Sequence, residues 1–251
     1  MKRNICILLS AILCVMAFLP VTAHAATYKL EGTDMSIVVD DTVWYVFTRE
    51  NIKDNPELEE LGVPYDTVYS TLYDNNAYMN AVVFYEDGAY VELLVRKKAL
   101  DTDIANLSNY DEKEVSEFAQ ELAKQLEVET YAVYESQYKF AKLEYFDAKY
   151  EYYIYEFTTI VNRDNYTLTF QSEEPFTDEQ KEMCEEIVDS VRFDVDPSIK
   201  ERKDSIFDSV LTKTIGGAVA GGIAGGVIAL VNKKKKKNKE EAPTEDNMKS
   251  E

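Results

Sequence analysis

The sequence predicts an α+β domain, a mainly antiparallel sheet covered by helices, followed by one C-terminal transmembrane helix. Three observations lead there. Alternating, β-branched and aromatic runs separated by turn residues recur between positions 28 and 171. Two stretches with helical spacing stand apart from them, at 111–126 and from Thr177 onward. The third is the segment 214–231, TIGGAVAGGIAGGVIALV, uncharged throughout and followed by Asn232 and five consecutive lysines.

In chain order, Lys2 and Arg3 precede an apolar run that ends in Ala23-His24-Ala25, the layout of a secretory signal peptide cleaved after Ala25. Residues 1–25 are therefore read as signal, and 26–196 as one extracytoplasmic domain long enough for a sizeable core. MSIVVDD alternates as a strand and turns at Asp40-Asp41, after which VWYVF resumes. Pro56 opens a short helical turn, ELEEL, closed by Gly62. Pro64 opens a second piece in which Val68, Leu72 and Tyr65 repeat at helical spacing. Glu86-Asp87-Gly88 marks a hairpin between two strand runs, since glycine tolerates the positive φ of a tight turn.

The clearest helix is 111–126, with Val115, Phe118, Ala119, Leu122, Ala123 and Leu126 on one face. Strand signals then run from 131 to 171 with a turn at 162–165. Thr177 and Gln180 form a capping box for a last helix whose buried stripe is Met183, Ile187, Val188 and Val191. Asp196-Pro197 ends the domain, 197–209 is a charged stalk, 210–232 spans the membrane, and 233–251 is the inner tail.

Composition narrows the chemistry. The chain carries 47 acidic and 27 basic residues, for a net charge of −20. Two bases lie in the signal, and the tail after Val231 holds seven bases against five acids. The domain and stalk are left with 42 acids against 18 bases, a surface that repels nucleic acid and anionic headgroups. Removal of the signal takes away Cys6, Cys14 and the single histidine, His24. A mature chain without histidine has no Ser-His or Cys-His pair and offers no imidazole to a metal. Cys184, on the apolar stripe, reads as a small core hydrophobe. No cofactor is expected.

The opening strand pair with a tryptophan after its turn, MSIVVDDTVWYVF, the mid-chain helix and the ending TDEQKEMCEEIVDSVRF resemble the PsbP-like α/β/α sandwich found in secreted and anchored bacterial proteins. The resemblance covers roughly 28–194. It implies a non-catalytic accessory or binding domain and supplies no catalytic residues.

Candidate sites follow. At about 1.5 Å per residue the segment 214–231 makes about 27 Å of helix, close to the hydrocarbon core of a bilayer. Lys233, Lys234, Lys235, Lys236 and Lys237 act as the stop-transfer block and place the tail in the cytoplasm. Gly217, Gly221 and Gly225 lie four apart, with Gly222 and Gly226 beside them, a spacing that lets two helices approach closely. Six of the chain's nine glycines sit in this segment, so filler is a poor account of them. Self-association through that face is expected, with a partner membrane protein as the alternative.

Tyr153, Tyr155 and Phe157 alternate onto one sheet face as core, which leaves an aromatic ligand platform on the opposite face as the rival use. Asp101 with Asp103, or Glu173 with Glu174, are weak calcium candidates because neither has an EF-hand loop. The function expected is a single-pass, membrane-anchored extracytoplasmic binding or scaffolding module, non-catalytic. The alternatives are an accessory subunit of a transport or secretion complex, or an extracytoplasmic carboxylate-dependent hydrolase. Convergent acids in a cleft would favour the hydrolase.

Overall fold

A computed structural model describes residues 25–200, apart from Asp87, Asp101 and Asp103. Ala23, the anchor glycines, the lysine block and most of the stalk lie outside the described residues, and Ala25 is the first residue of β1 (Ala25–Lys29). Among the described residues no helix is long and apolar enough to cross a membrane.

The architecture is α+β with two antiparallel sheets. A seven-stranded sheet runs in the order β3-β4-β5-β9-β8-β7-β6, and a three-stranded sheet in the order β1-β2-β10. Its strands are β3 (Tyr45–Thr48), β4 (Ala77–Phe84), β5 (Tyr90–Ala99), β6 (Thr130–Glu135), β7 (Lys139–Asp147), β8 (Tyr152–Val161) and β9 (Asp164–Ser172). The smaller sheet uses β1, β2 (Met35–Asp40) and the two-residue β10 (Arg192–Phe193). Among the described residues there are four α-helices: α1 (Glu57–Leu61), α2 (Tyr65–Tyr73), α3 (Glu112–Gln125) and α4 (Asp178–Asp189).

Local signals set most of these boundaries. Asp111 accepts from the Glu114 amide at 2.9 Å while Glu114 accepts from the Asp111 amide at 3.0 Å, closing a capping box at the start of α3. Thr177 and Gln180 close the expected box on α4. Gly62 ends α1 in the left-handed region at φ 66°. Asn162 and Arg163 both have positive φ and form the two-residue turn between β8 and β9.

The small sheet and α4 cover one face of the large sheet and form the main core with it. Met35, Ile37 and Val39 of β2, Leu93 and Val95 of β5, Phe157 of β8, Phe170 of β9 and Val188 of α4 are buried together. On the other face, α3 covers the β6–β7 end with Phe118 and Leu122 packed on Leu143 and Ile160. There α2 covers the β3–β4 end, with Val68 and Leu72 against Phe47 and Leu94.

Two expectations are corrected. The strands on either side of Asp40-Asp41 do not pair: β2 belongs to the small sheet and β3 to the large one. The turn carries the chain between layers, because β2 buries one face against the core while β3 is needed at the edge of β4. Tyr65 is not a core residue, since its side chain is 41% exposed. The inward positions of α2 are Val68, Thr71 and Leu72. Leu126 and Met183 are only partly buried, at the ends of their stripes.

Candidate functional site

Between α2 and α3, the centre of the large sheet presents polar side chains where an apolar floor would be ordinary. Side chains of residues i and i+2 share a sheet face. Glu92 and Arg96 of β5 therefore share this face with Thr167, Thr169 and Gln171 of β9, and with Glu156 and Thr158 of β8. Glu92 and Glu156 are each 1% exposed.

All four carboxylate oxygens are bonded. Asn80 Nδ2 donates to Glu92 Oε1 at 2.5 Å, and Gln171 Nε2 donates to Glu92 Oε2 at 2.6 Å. Thr169 Oγ1 donates to Glu156 Oε2 at 3.1 Å, and Thr158 Oγ1 to Glu156 Oε1 at 3.4 Å. Burial pushes both carboxyls up to about 7 despite these donors and the positive charge of Arg96. Burial also lowers the pKa of Arg96, an effect opposed by the charges of Glu156 and Glu92.

At the end of β8 nearest Tyr152, this seam opens into a narrow cleft between Arg96, Tyr145, Asp147, Tyr150, Tyr152 and Gln171. Burial and the Glu156 charge raise the Tyr145 hydroxyl pKa, so it is neutral at physiological pH. On this face, Tyr150 and Tyr152 wall the cleft. Tyr155 and Phe157 are core, as expected, and Tyr153 packs against the same cluster.

A second feature lies on the surface. Tyr65, Tyr69 and Tyr73 occur four apart on α2 and form a ladder of rings. Ring centroids are 5.6 Å apart for Tyr65–Tyr69 and 4.4 Å for Tyr69–Tyr73, the latter pair stacked within 19° of parallel. All three are about two-fifths exposed. Arg49 closes the Tyr73 end, its guanidinium carbon 5.1 Å from that ring and 3.9 Å from the Tyr78 ring. Its nitrogens donate to the carbonyls of Leu72 and Ala77, which fixes the side chain in place.

The other candidates fall as follows. Cys184 is fully buried, and burial raises its thiol pKa. Glu173 and Glu174 are exposed beside Ser172 at the rim of a shallow depression near Gly88 and Tyr90. Asp101 and Asp103 lie outside the described residues, and among those described no three carboxylate, thiol or imidazole groups converge as metal ligands. Sequence reasoning missed Glu92, Arg96 and Glu156. The available signal was a charge flanked by apolar residues inside the strand runs YVELLVRK and YEFTTIV.

No family profile matches the chain, and no curated protein matches it. The structure is similar to the solution structure of cyanobacterial PsbP (CyanoP) from Synechocystis sp. PCC 6803, at 10% identity and a TM-score of 0.39, over 70% of this chain and 95% of that one.

Proposed function

We propose that this chain is a non-catalytic, extracytoplasmic binding or scaffolding module, tethered by a single C-terminal span and paired through the glycine face of that span. The observation that carries the reading is the contrast between the two features of the domain. Its strongest candidate acid–base groups, Glu92 and Glu156, are closed inside the sheet with every oxygen engaged, whereas its largest run of exposed rings stands on an outward helix face. A general acid or base needs reach to a substrate proton. A binding surface needs exposed anchors of large contact area, which tyrosine provides at low entropic cost.

The exit of the chain fits a tether. Arg163 Nη2, at the β8–β9 turn, donates to the Lys200 carbonyl at 2.6 Å. The Tyr150–Tyr152 cleft lies at the opposite end of β8, about 30 Å away at strand spacing.

Protease added outside intact cells tests the topology, with removal of the acidic domain as the expected outcome. Cross-linking in native membranes tests the pairing. Gly221→Leu should lower oligomer yield, and an unchanged yield removes the glycine face from the proposal. A stoichiometric second membrane protein in the cross-links would make the chain an accessory subunit instead.

A further inference from the structure

We infer that the Tyr65–Tyr69–Tyr73 ladder is a docking face for an arginine- or lysine-rich segment of a partner polypeptide, with a cationic side chain seated on the Tyr65 end. The inference rests on the binding-module reading and names the partner's chemistry. Three independent observations converge on it.

The first is that one end of the ladder already holds a cation. Arg49 lies over Tyr73 and Tyr78, attracted by the negative faces of the rings. The second is that the other end is open. Among the described residues, Tyr69 is the ring packed on Tyr65, and no cation lies over it. The third is charge. From Asp54 to Val95, 42 residues that include α1 and α2, there is no lysine or arginine and there are nine acids. Of these, Glu59, Glu60, Asp66 and Asp74 are exposed on or beside the two helices. Asp66 precedes Tyr69 by three positions and so flanks it on the helix surface.

Rings and carboxylates together select a cation. Anionic lipid and nucleic acid are repelled by the same acids, and a neutral sugar gains nothing from them. Arginine suits the site best, because its planar guanidinium stacks on a ring while donating to a neighbouring carboxylate.

The test uses the full-length protein in neutral detergent, titrated into a fluorescent peptide of alternating arginine and glycine and read by anisotropy. A glutamate–glycine peptide serves as the probe of opposite charge. The arginine peptide should bind and the glutamate peptide should not. Tyr65→Ser and Tyr69→Ser, which remove exposed rings and no charge, should each weaken arginine-peptide binding about fivefold. Glu117→Gln with Glu121→Gln, on the outer face of α3, should change it less than twofold, an interval of about 0.4 kcal/mol. Equal binding by the tyrosine variants would mean diffuse attraction to an acidic protein and would overturn the inference. So would no binding by the unaltered protein. Either result leaves the binding-module reading to be judged on the membrane cross-links, where a partner can be recovered whatever its charge.

Discussion

Gln171 on β9 donates to Glu92 on β5 at 2.6 Å, and one row along the sheet Thr169 donates to Glu156 on β8. The central strand thus holds a buried carboxylate on each side, with Arg96 electrostatically coupled to both. The donors and Arg96 favour the ionised carboxylates, and burial outweighs them.

That has a consequence for pH. Both carboxyls titrate at about 7 in the folded state against 4.5 for an ordinary glutamate. Between those values the native state keeps protons that the unfolded chain has released. Stability therefore falls as pH rises through this window and levels off above it. The loss is of order 1–3 kcal/mol per group. Melting curves should show a lower midpoint at pH 8 than at pH 5, and Glu156→Gln should flatten the slope, since the Thr158 and Thr169 hydroxyls can rotate to serve an amide. An unaltered slope in that variant would place the titration elsewhere.

Docking of α4 onto the sheet depends on a polar contact as well as on Ile187 and Val188. Tyr155 donates to Glu185 at 2.5 Å, and Lys142 lies 3.3 Å from both oxygens. Tyr155→Phe keeps the ring in the core and removes the bond, and should cost about 1–2 kcal/mol in denaturant unfolding. A double-mutant cycle with Glu185→Gln would separate this bond from the packing, and additive losses would show that the two residues are not coupled.

The start of α3 is held by the reciprocal Asp111–Glu114 box. Asp111→Ala should destabilise the domain by about 1 kcal/mol, while Asp111→Ser or Asp111→Asn should retain most of the stability. Equal losses in all three would point to a role for the negative charge rather than for the cap.

Cys184 should resist alkylation in the native protein and react at once in denaturant, because it is buried and its thiol pKa is raised by that burial. Cys184→Ser should lower stability by about 1–3 kcal/mol through an unpartnered buried hydroxyl. Rapid native labelling would mean that α4 opens locally far more often than the core contacts imply.

Helices α3 and α4, the Gly62 stop and the hairpin at Gly88 were legible because each is written in residues within one or two turns of each other. Val115, Phe118, Ala119, Leu122 and Ala123 are buried as their spacing requires. The candidate site was less legible. Tyr65 repeats with Val68 and Leu72 at nearly the same interval, and only the position of the sheet beneath α2 decides which stripe turns inward. Glu92 and Glu156 looked like two acids among many in a chain of 47.

The sequence by itself determined the α+β class, the caps and faces of the longer helices, the acidic composition, and the confinement of the single histidine to position 24. Tertiary structure alone decided that β2 and β3 join different sheets, that Arg192 and Phe193 close the small sheet by pairing with Ser36 and Met35, and that Glu92 and Glu156 each meet a hydrogen-bond donor of β9, Gln171 and Thr169 respectively. The physical reason is range. Caps and helical periodicity act between near neighbours along the chain. Strand partnership and the burial of a charge depend on groups brought together from distant positions, such as Glu92 and Gln171.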